Sequence, residues 1–285
     1  MRQTSSVVYI ACDDLIPPSR SAISGFDEFS AALEHAGVPT VWLSSRTRFQ
    51  LDAPRRRLGH NHPFIAEGGC GVYLPEDYFH LRPEAPTRSR GPRNTTVRLG
   101  RFTCLPIAEQ QPAAAEALES LAYDSGAEIV RLSSLSPREL AQNSGLPARE
   151  AELARHRDFD ELFFFAGTSP AEIACFKRLA EERKCQLRES GSLWSVAIGA
   201  SVSRGIRELS KLYDRALHAH ARTIAVSSQE HSSELAKACD RGILLVGRDT
   251  PKGEAREERG GRVMEVPIDS ADRWERILSA IRERP

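Results

Sequence analysis

The chain has 285 residues, enough for one large domain or two moderate ones, and it carries 39 basic and 39 acidic side chains. A formal net charge of zero creates no field that would attract nucleic acid or an anionic membrane, so we expect neither as a partner. The first apolar run is too short for the core of a signal peptide, and no stretch approaches the roughly 20 apolar residues of a membrane span, so we expect a cytoplasmic protein.

Strand and helix patterns alternate over the first part of the chain, which is typical of a parallel sheet flanked by helices. The stretch 80–93 is rich in proline and arginine and is expected to be an exposed linker. The elements predicted before it are a buried strand over Val7–Ala11, a helix over Ile23–Ala36, a strand over Val38–Leu43, and short strands over Phe64–Ala66 and Gly71–Pro75.

The pattern changes after this stretch. A strong helix start lies at Ser136-Pro137-Arg138-Glu139, because serine is a good N-cap, proline suits the first helical position and an acid follows. The other elements predicted in this middle part are a strand over Thr96–Leu105, a helix over Pro112–Ser125, a strand over Ile129–Leu132, and strands within Phe159–Ala166 and Leu187–Ile198.

Near Gly199 the alternation of helix and strand returns. A module inserted into a doubly wound α/β domain explains this order, with a core formed by residues 1–90 and 199–285 and a module formed by residues 91–198. The elements predicted in the last part are a helix over Ile206–Ala219, a strand over Thr223–Val226, a helix over Ser232–Asp240, strands over Gly242–Val246 and Arg262–Val266, and a closing helix from Ala271.

The cysteines and histidines show no spacing typical of a metal site. The six cysteines are widely separated and form no close pair, so we expect buried, reduced thiols and neither a zinc site nor a disulfide framework. The nearest histidine pairs are His60 with His62, in a predicted turn, and His218 with His220, on different helix faces. We expect neither pair to bind a metal.

Polar residues follow several predicted strands, at the edge where open α/β sheets bind ligands. The segment Ser44-Ser45-Arg46-Thr47 offers hydroxyls and backbone N–H groups that suit a phosphate. Arg204 lies at a helix start, where it would present a fixed positive charge to an anion. Taken singly, each feature also fits an ordinary polar strand end or a solvated arginine.

Taken in order, these segments resemble the haloacid-dehalogenase superfamily, specifically the mannosyl-3-phosphoglycerate phosphatases. The resemblance implies a doubly wound parallel core sheet with an inserted α+β cap domain. The stretches that carry it are Val41–Arg48, Pro63–Pro75, Tyr78-Phe79, Glu139–Leu146 and Ala154–Glu161, with Trp274 in the last helix.

The resemblance also implies phosphomonoester chemistry. In the family an aspartate attacks phosphorus and a second aspartate, two residues later, protonates the leaving group. A serine and a lysine hold the phosphoryl oxygens, and aspartates bind Mg²⁺. On this sequence the resemblance places Ala11 at the nucleophile position and Asp13 at the position of the acid/base. Ser44, with Ser45 and Arg46, lies at the phosphate-binding segment, and Arg204 takes the place of the lysine. Ser228 and Ser232 take the places of metal-binding aspartates.

Three functions stay open at this point. The first is a catalytically inactive family member that binds a phosphorylated or anionic small ligand, or a protein partner, without a cofactor. The second is a hydrolase that acts on a phosphorylated sugar or glycerate by a modified mechanism, for which Mg²⁺ would be needed. The third is a scaffolding protein. A register shifted by one would offer Cys12 as nucleophile, but it turns every strand side chain to the opposite face.

Overall fold

The computed structural model describes residues 6–17, 22–79, 96–228, 232–247 and 263–283. The first part of the chain forms a core of short, buried strands and two helices. Its strands are apolar almost throughout because helices cover both faces of a parallel sheet. The elements are β1 (Ser6–Ala11), α1 (Phe26–His35), β2 (Thr40–Leu43), α2 (Arg48–Arg57), β3 (Phe64–Ala66) and β4 (Gly71–Pro75).

The middle part contains helices and mostly antiparallel strands. The predicted capping box is present: Ser136 Oγ accepts from the Glu139 backbone N–H, and Glu139 accepts from the Ser136 backbone N–H. The elements are β5 (Val97–Leu99), β6 (Phe102–Pro106), α3 (Gln111–Ser125), β7 (Ile129–Arg131), α4 (Pro137–Ser144), α5 (Ala148–Ala154), β8 (Glu161–Phe165), α6 (Pro170–Glu182), β9 (Cys185–Ser190) and β10 (Leu193–Ile198).

The last part returns to alternating helices and strands. Its elements are α7 (Val202–Leu217), β11 (Arg222–Ser228), α8 (Ser232–Ala238), β12 (Arg241–Val246), β13 (Val263–Pro267) and α9 (Arg273–Arg282). Among the helices of the described residues, none is both long and apolar enough to cross a bilayer.

Within the described residues the strands form two sheets, and the predicted α/β architecture is confirmed. The large sheet has the order β13-β12-β11-β1-β2-β3-β4-β6-β5, parallel from β13 to β3 and antiparallel beyond. Since β1 pairs with β2 on one side and β11 on the other, the strand order reverses at β1. The crevice outside the carboxyl end of such a strand is the usual ligand site of an open α/β sheet. The small sheet, β7-β8-β10-β9, is antiparallel.

Apolar side chains cover both faces of the large sheet. Phe26 and Phe29 of α1 pack with Trp274 of α9 on one face. Ile206 of α7 and Leu235 of α8 pack on the other. A separate cluster holds α3 and α6 on the small sheet, so the inserted unit has its own core.

Several predicted boundaries differ from the structure, and two of them have a clear physical reason. The strand predicted over Thr96–Leu105 is two strands, because Gly100 adopts a left-handed φ of 62° and turns the chain between β5 and β6. The helix predicted from Ile206 starts at Val202, because the Ser201 hydroxyl caps it by accepting from the Arg204 backbone N–H at 3.2 Å.

The division of the chain into core and module also depends on β5 and β6. The predicted module begins at residue 91 and includes both strands, whereas β6 pairs with β4 of the large sheet, with Pro106 opposite Gly71. We propose on this pairing that the inserted unit starts after Pro106. The predicted linker over 80–93 lies outside the described residues.

Candidate functional site

A cavity of about 340 Å³ lies between the carboxyl ends of the core strands and the inserted unit, which we call the cap. Asp13, Ser45, Arg46 and Glu67 line it from the core, and the β9–β10 hairpin lines it from the cap. The parallel sheet determines this position, because β1, β2 and β3 end at the same edge. We call this cavity the cleft.

Ala11 is the last residue of β1 and is almost fully buried. It pairs with Leu43 of β2 and packs in the apolar cluster that contains Val41 and Leu235. A methyl group at this place carries neither a nucleophile nor a metal ligand. That the position is a former nucleophile site stays a prediction.

Cys12 lies on the opposite face of the strand end and has no exposed surface. Its sulfur accepts from Arg46 Nη2 at 3.7 Å. Burial raises the pKa of this thiol to about 12, and the nearby Arg46 charge only partly opposes the shift. Cys12 is therefore a neutral thiol near pH 7 and a poor nucleophile.

Asp13 lies directly on the segment predicted to bind phosphate. Its carboxylate accepts from the Ser45 backbone N–H and the Ser45 hydroxyl, each at 2.7 Å, and from Arg46 Nε at 3.2 Å. The Ser44 hydroxyl also donates to it. The structure thus brings together four predicted site residues, but the chain's own carboxylate occupies the donors that would hold a phosphoryl group.

The remaining predicted site residues lie on α7, β11 and α8. Arg204 is exposed in the first turn of α7, and it is not among the described residues that line the cleft. Ser228 ends β11, and its hydroxyl donates to the Asp14 carboxylate beside Asp13. Ser232 is the first residue of α8, and its side chain lies outside what the structure describes.

The donor set at the end of β1 does not fit the Mg²⁺ site of the family. Mg²⁺ prefers carboxylate oxygens in octahedral geometry, and here Ala11 and Ser228 offer a methyl group and a hydroxyl. The Asp13 carboxylate is paired with Arg46. Over the described ranges, no group of three or more His, Cys, Asp and Glu side chains is arranged to hold a metal ion.

Glu67, in the turn after β3, is a site residue that sequence reasoning missed. Its side chain has no exposed surface, and its backbone takes a left-handed φ of 51°. The carboxyl oxygens accept from three successive backbone N–H groups of the cap: Asp158 at 3.0 Å, Phe159 at 2.9 Å and Asp160 at 3.2 Å. Glu67 therefore joins the core to the cap at the base of the cleft.

A buried ion pair supports this junction. Arg157 pairs with Asp160 and donates from Nη2 to the Ser45 carbonyl oxygen at 2.8 Å. Burial raises the pKa of Glu67 to about 8, and the Asp160 charge adds to the rise while Arg157 opposes it. Glu67 and the 154–161 stretch both lie in segments that carry the resemblance, but no local pattern shows that they meet.

The cap wall of the cleft combines a cation with apolar side chains. Arg188 of β9 lies opposite Ser195 of β10 in the ladder, and both line the cavity. The apolar part includes Leu146, Leu162 and Leu193, and Ala154 and Trp194 also line the cavity.

Comparisons with known proteins agree with this architecture. No protein-family model matches the chain. The chain is 22% identical over 213 residues to a glucosyl-3-phosphoglycerate/mannosyl-3-phosphoglycerate phosphatase of Methanococcoides burtonii, which covers 75% of this chain and 74% of that protein. It is 27% identical over 132 residues to a mannosyl-3-phosphoglycerate phosphatase of Pyrococcus furiosus, covering 46% and 49%.

Solved structures show the same fold. A haloacid dehalogenase-like hydrolase of Bacteroides thetaiotaomicron superposes with a TM-score of 0.63 at 12% identity, covering 97% of this chain and 99% of that one. A sugar phosphatase of haloacid-dehalogenase subclass IIB superposes with a TM-score of 0.57 at 13% identity, covering 97% and 100%. Identities this low establish the fold alone.

Proposed function

Because the chain shares its fold with haloacid-dehalogenase hydrolases and is similar in sequence to phosphatases of that superfamily, we propose that it is a member that binds an anionic small molecule in the cleft and does not hydrolyse it. The observation that carries this proposal is Ala11 at the end of β1, where the resemblance requires the attacking aspartate. Removing a covalent nucleophile usually costs many orders of magnitude in rate.

The neighbouring groups do not replace the missing carboxylate. Cys12 is buried and its pKa is raised, so it supplies almost no thiolate. Asp13 lines the cleft, but its carboxylate is held by hydrogen bonds from Ser45 and Arg46. Ala11 and Ser228 stand where the resemblance places carboxylates that bind Mg²⁺, so we expect no bound metal to stabilise the charge that a phosphoryl transition state develops.

Binding of an anion is supported by Arg188, which lines the cleft and has no ion pair within the described residues, whereas Arg46 pairs with Asp13 and Arg157 with Asp160. Guanidinium groups match carboxylate and phosphate geometry and stay charged at any physiological pH. The curated relatives are named for glucosyl- and mannosyl-3-phosphoglycerate. We therefore expect phosphorylated sugars and phosphoglycerate-like anions to be the first ligands to test.

Two measurements on the same preparation test the proposal. The first follows phosphate release from glucosyl-3-phosphoglycerate and from p-nitrophenyl phosphate with Mg²⁺. The second follows the melting temperature in a series of phosphate and carboxylate anions without metal. We expect no turnover and a rise in melting temperature with at least one anion, since a ligand that binds only the folded state stabilises it. Turnover would refute the inactive assignment, and no shift with any anion would favour the scaffolding function.

A restoration variant provides the matched control. Ala11→Asp, Arg204→Lys, Ser228→Asp and Ser232→Asp together return the family residues to the predicted positions. Phosphatase activity gained in this variant, with none in the natural chain, would support the loss of side chains on an intact scaffold.

A second candidate, a hydrolase with a modified mechanism, rests on Asp13 beside Ser44 at the strand ends. If Asp13 acts as the acid, Asp13→Asn would abolish any turnover that the natural chain shows. A rate that survives this substitution would exclude Asp13 from the reaction.

A further inference from the structure

The cap hairpin places one arginine in the cleft that has no counter-ion among the described residues. Arg188 lies on β9, is partly buried and lines the cavity. Gly68, in the turn after β3, takes a left-handed φ of 61°, and a Cβ there would come within 2.8 Å of the Arg188 Cζ. The guanidinium therefore lies close to the Gly68 backbone and reaches across the cleft from cap to core.

The other arginines of the cleft are already neutralised. Arg46 pairs with Asp13, and Arg157 pairs with Asp160. Within the described part of the chain, the Arg188 guanidinium has neither a hydrogen bond nor an ion pair. Arginine carries five N–H donors, and a partly desolvated guanidinium with unfilled donors favours a carboxylate or phosphate.

A hydroxyl lies beside this cation. Ser195 stands directly opposite Arg188 in the β9–β10 ladder, is buried, and lines the same cavity. Side chains opposite each other in an antiparallel pair are about 5 Å apart at Cβ, close enough to contact one anion together. Arg188 and Ser195 thus form a small two-residue anchor on the cap.

The wall next to this anchor is apolar. Leu146 follows α4, Leu162 lies on β8 and Leu193 lies on β10, and all three are partly buried and line the cavity. They pack on the small apolar cluster of the cap, so they are held in place. Such a wall offers no hydrogen bonds to sugar hydroxyls, and a polar ring placed there would lose its water without replacement.

We propose that Arg188, with Ser195, binds the anionic group of the cleft ligand, and that Leu146, Leu162 and Leu193 bind an apolar body attached to it. The ligand class is a small carboxylate or phosphate monoester with an aromatic or branched aliphatic body that fits the cavity of about 340 Å³. This inference rests on the proposed function and names its ligand chemistry.

Titration calorimetry with three probes of defined chemistry tests the proposal. Phenyl phosphate and benzoate carry an apolar body on the two anionic groups, and glucose 6-phosphate carries the same phosphate on a polar body. The natural chain is expected to bind phenyl phosphate or benzoate at least about ten-fold more tightly than glucose 6-phosphate, since each buried CH₂ contributes about 0.8 kcal/mol. Equal or tighter binding of glucose 6-phosphate would refute the proposal that the ligand carries an apolar body.

Substitutions at the anchor separate charge from structure. Arg188→Gln is expected to weaken binding of the tighter probe by about ten-fold or more, as for a hydrogen bond to a charged group. Arg188→Lys should recover part of the loss. Arg183→Gln is the matched control, because this cap arginine pairs with Asp124 and does not line the cleft. Melting curves of each variant show whether it is folded.

The outcomes distinguish this inference from the proposed function. If the natural chain binds a probe and the folded Arg188→Gln variant binds it equally well, the role of Arg188 in binding is refuted and the proposed function is not. Leu162→Ala should weaken phenyl phosphate binding and leave inorganic phosphate binding unchanged. Equal losses of affinity for both probes would refute the proposal that the leucines bind an apolar body. A natural chain that binds none of the probes, and no other anion in the melting series, overturns the proposed function and this inference together.

Discussion

Replacing Glu67 with alanine removes the contact that joins the core to the cap at the base of the cleft. The three backbone N–H groups of 158–160 that donate to its carboxyl oxygens would lose their acceptor in a buried place. A buried donor without a partner costs about 1–3 kcal/mol. Since water entering the polar space recovers part of this, we expect Glu67→Ala to lower the free energy of unfolding by about 3–5 kcal/mol.

Urea denaturation at pH 7, followed by circular dichroism, measures this loss. Glu76→Ala is the control, because Glu76 is exposed and pairs with Arg98 at 2.8 Å. An exposed ion pair contributes only about 0–1 kcal/mol. If the free energy of unfolding of Glu67→Ala lies within about 1 kcal/mol of the natural chain, as expected for the control, the carboxyl does not hold the cap segment and the prediction is refuted.

The pH dependence of stability gives a second readout of the same group. Burial and the Asp160 charge raise the pKa of Glu67 from 4.5 to about 8 in the folded state. Between these values the folded state holds a proton that the unfolded state has lost, so the contribution of Glu67 to stability is highest below about pH 4.5 and falls as the pH rises to about 8. The slope contributed by this group reaches about 1.4 kcal/mol per pH unit.

Glu67→Gln imitates the protonated carboxyl and isolates that slope. The variant should be close to the natural chain in stability near pH 5 and should lack this fall between pH 5 and pH 8, since its amide does not titrate. Identical pH profiles of the two proteins would contradict the raised pKa of Glu67.

Three further predictions concern two glycines and a thiol. Gly205→Ala should stabilise the chain by about 0.5–1 kcal/mol, because a Cβ in α7 meets only ordinary contacts at 3.5 Å or more. Gly69→Ala should lower the free energy of unfolding by about 2–4 kcal/mol, because φ is +97° and a Cβ would lie 2.7 Å from the Val202 backbone nitrogen. A variant whose melting temperature equals that of the natural chain would contradict its prediction. Cys12 should react with iodoacetamide at pH 8 about a thousand-fold more slowly than the partly buried Cys175, measured by peptide mass spectrometry, and equal rates would contradict its burial and raised pKa.

The order of elements could be predicted because its causes are local. Apolar runs mark β1 and β2, a capping box marks the start of α4, and glycines mark the ends of helices. These patterns depend on residues a few positions apart, so they can be read without the fold. The helix α2 was missed because its sequence, with four arginines and a proline, has little apolar periodicity.

The sequence by itself determined the α/β class and indicated the insertion of a second unit, while the assignment of Ala11 and Ser228 to positions of catalytic aspartates stays a prediction. The tertiary structure alone decided which side chains meet. Asp13 lies on Ser45 and Arg46 across more than 30 residues, Glu67 binds a cap segment more than 90 residues away, and Arg188 faces Gly68 across a still longer separation. Contacts of this kind follow from how sheets and helices pack and leave no mark in any local pattern, which is why the cleft could be located from the sequence but its charges could not be paired.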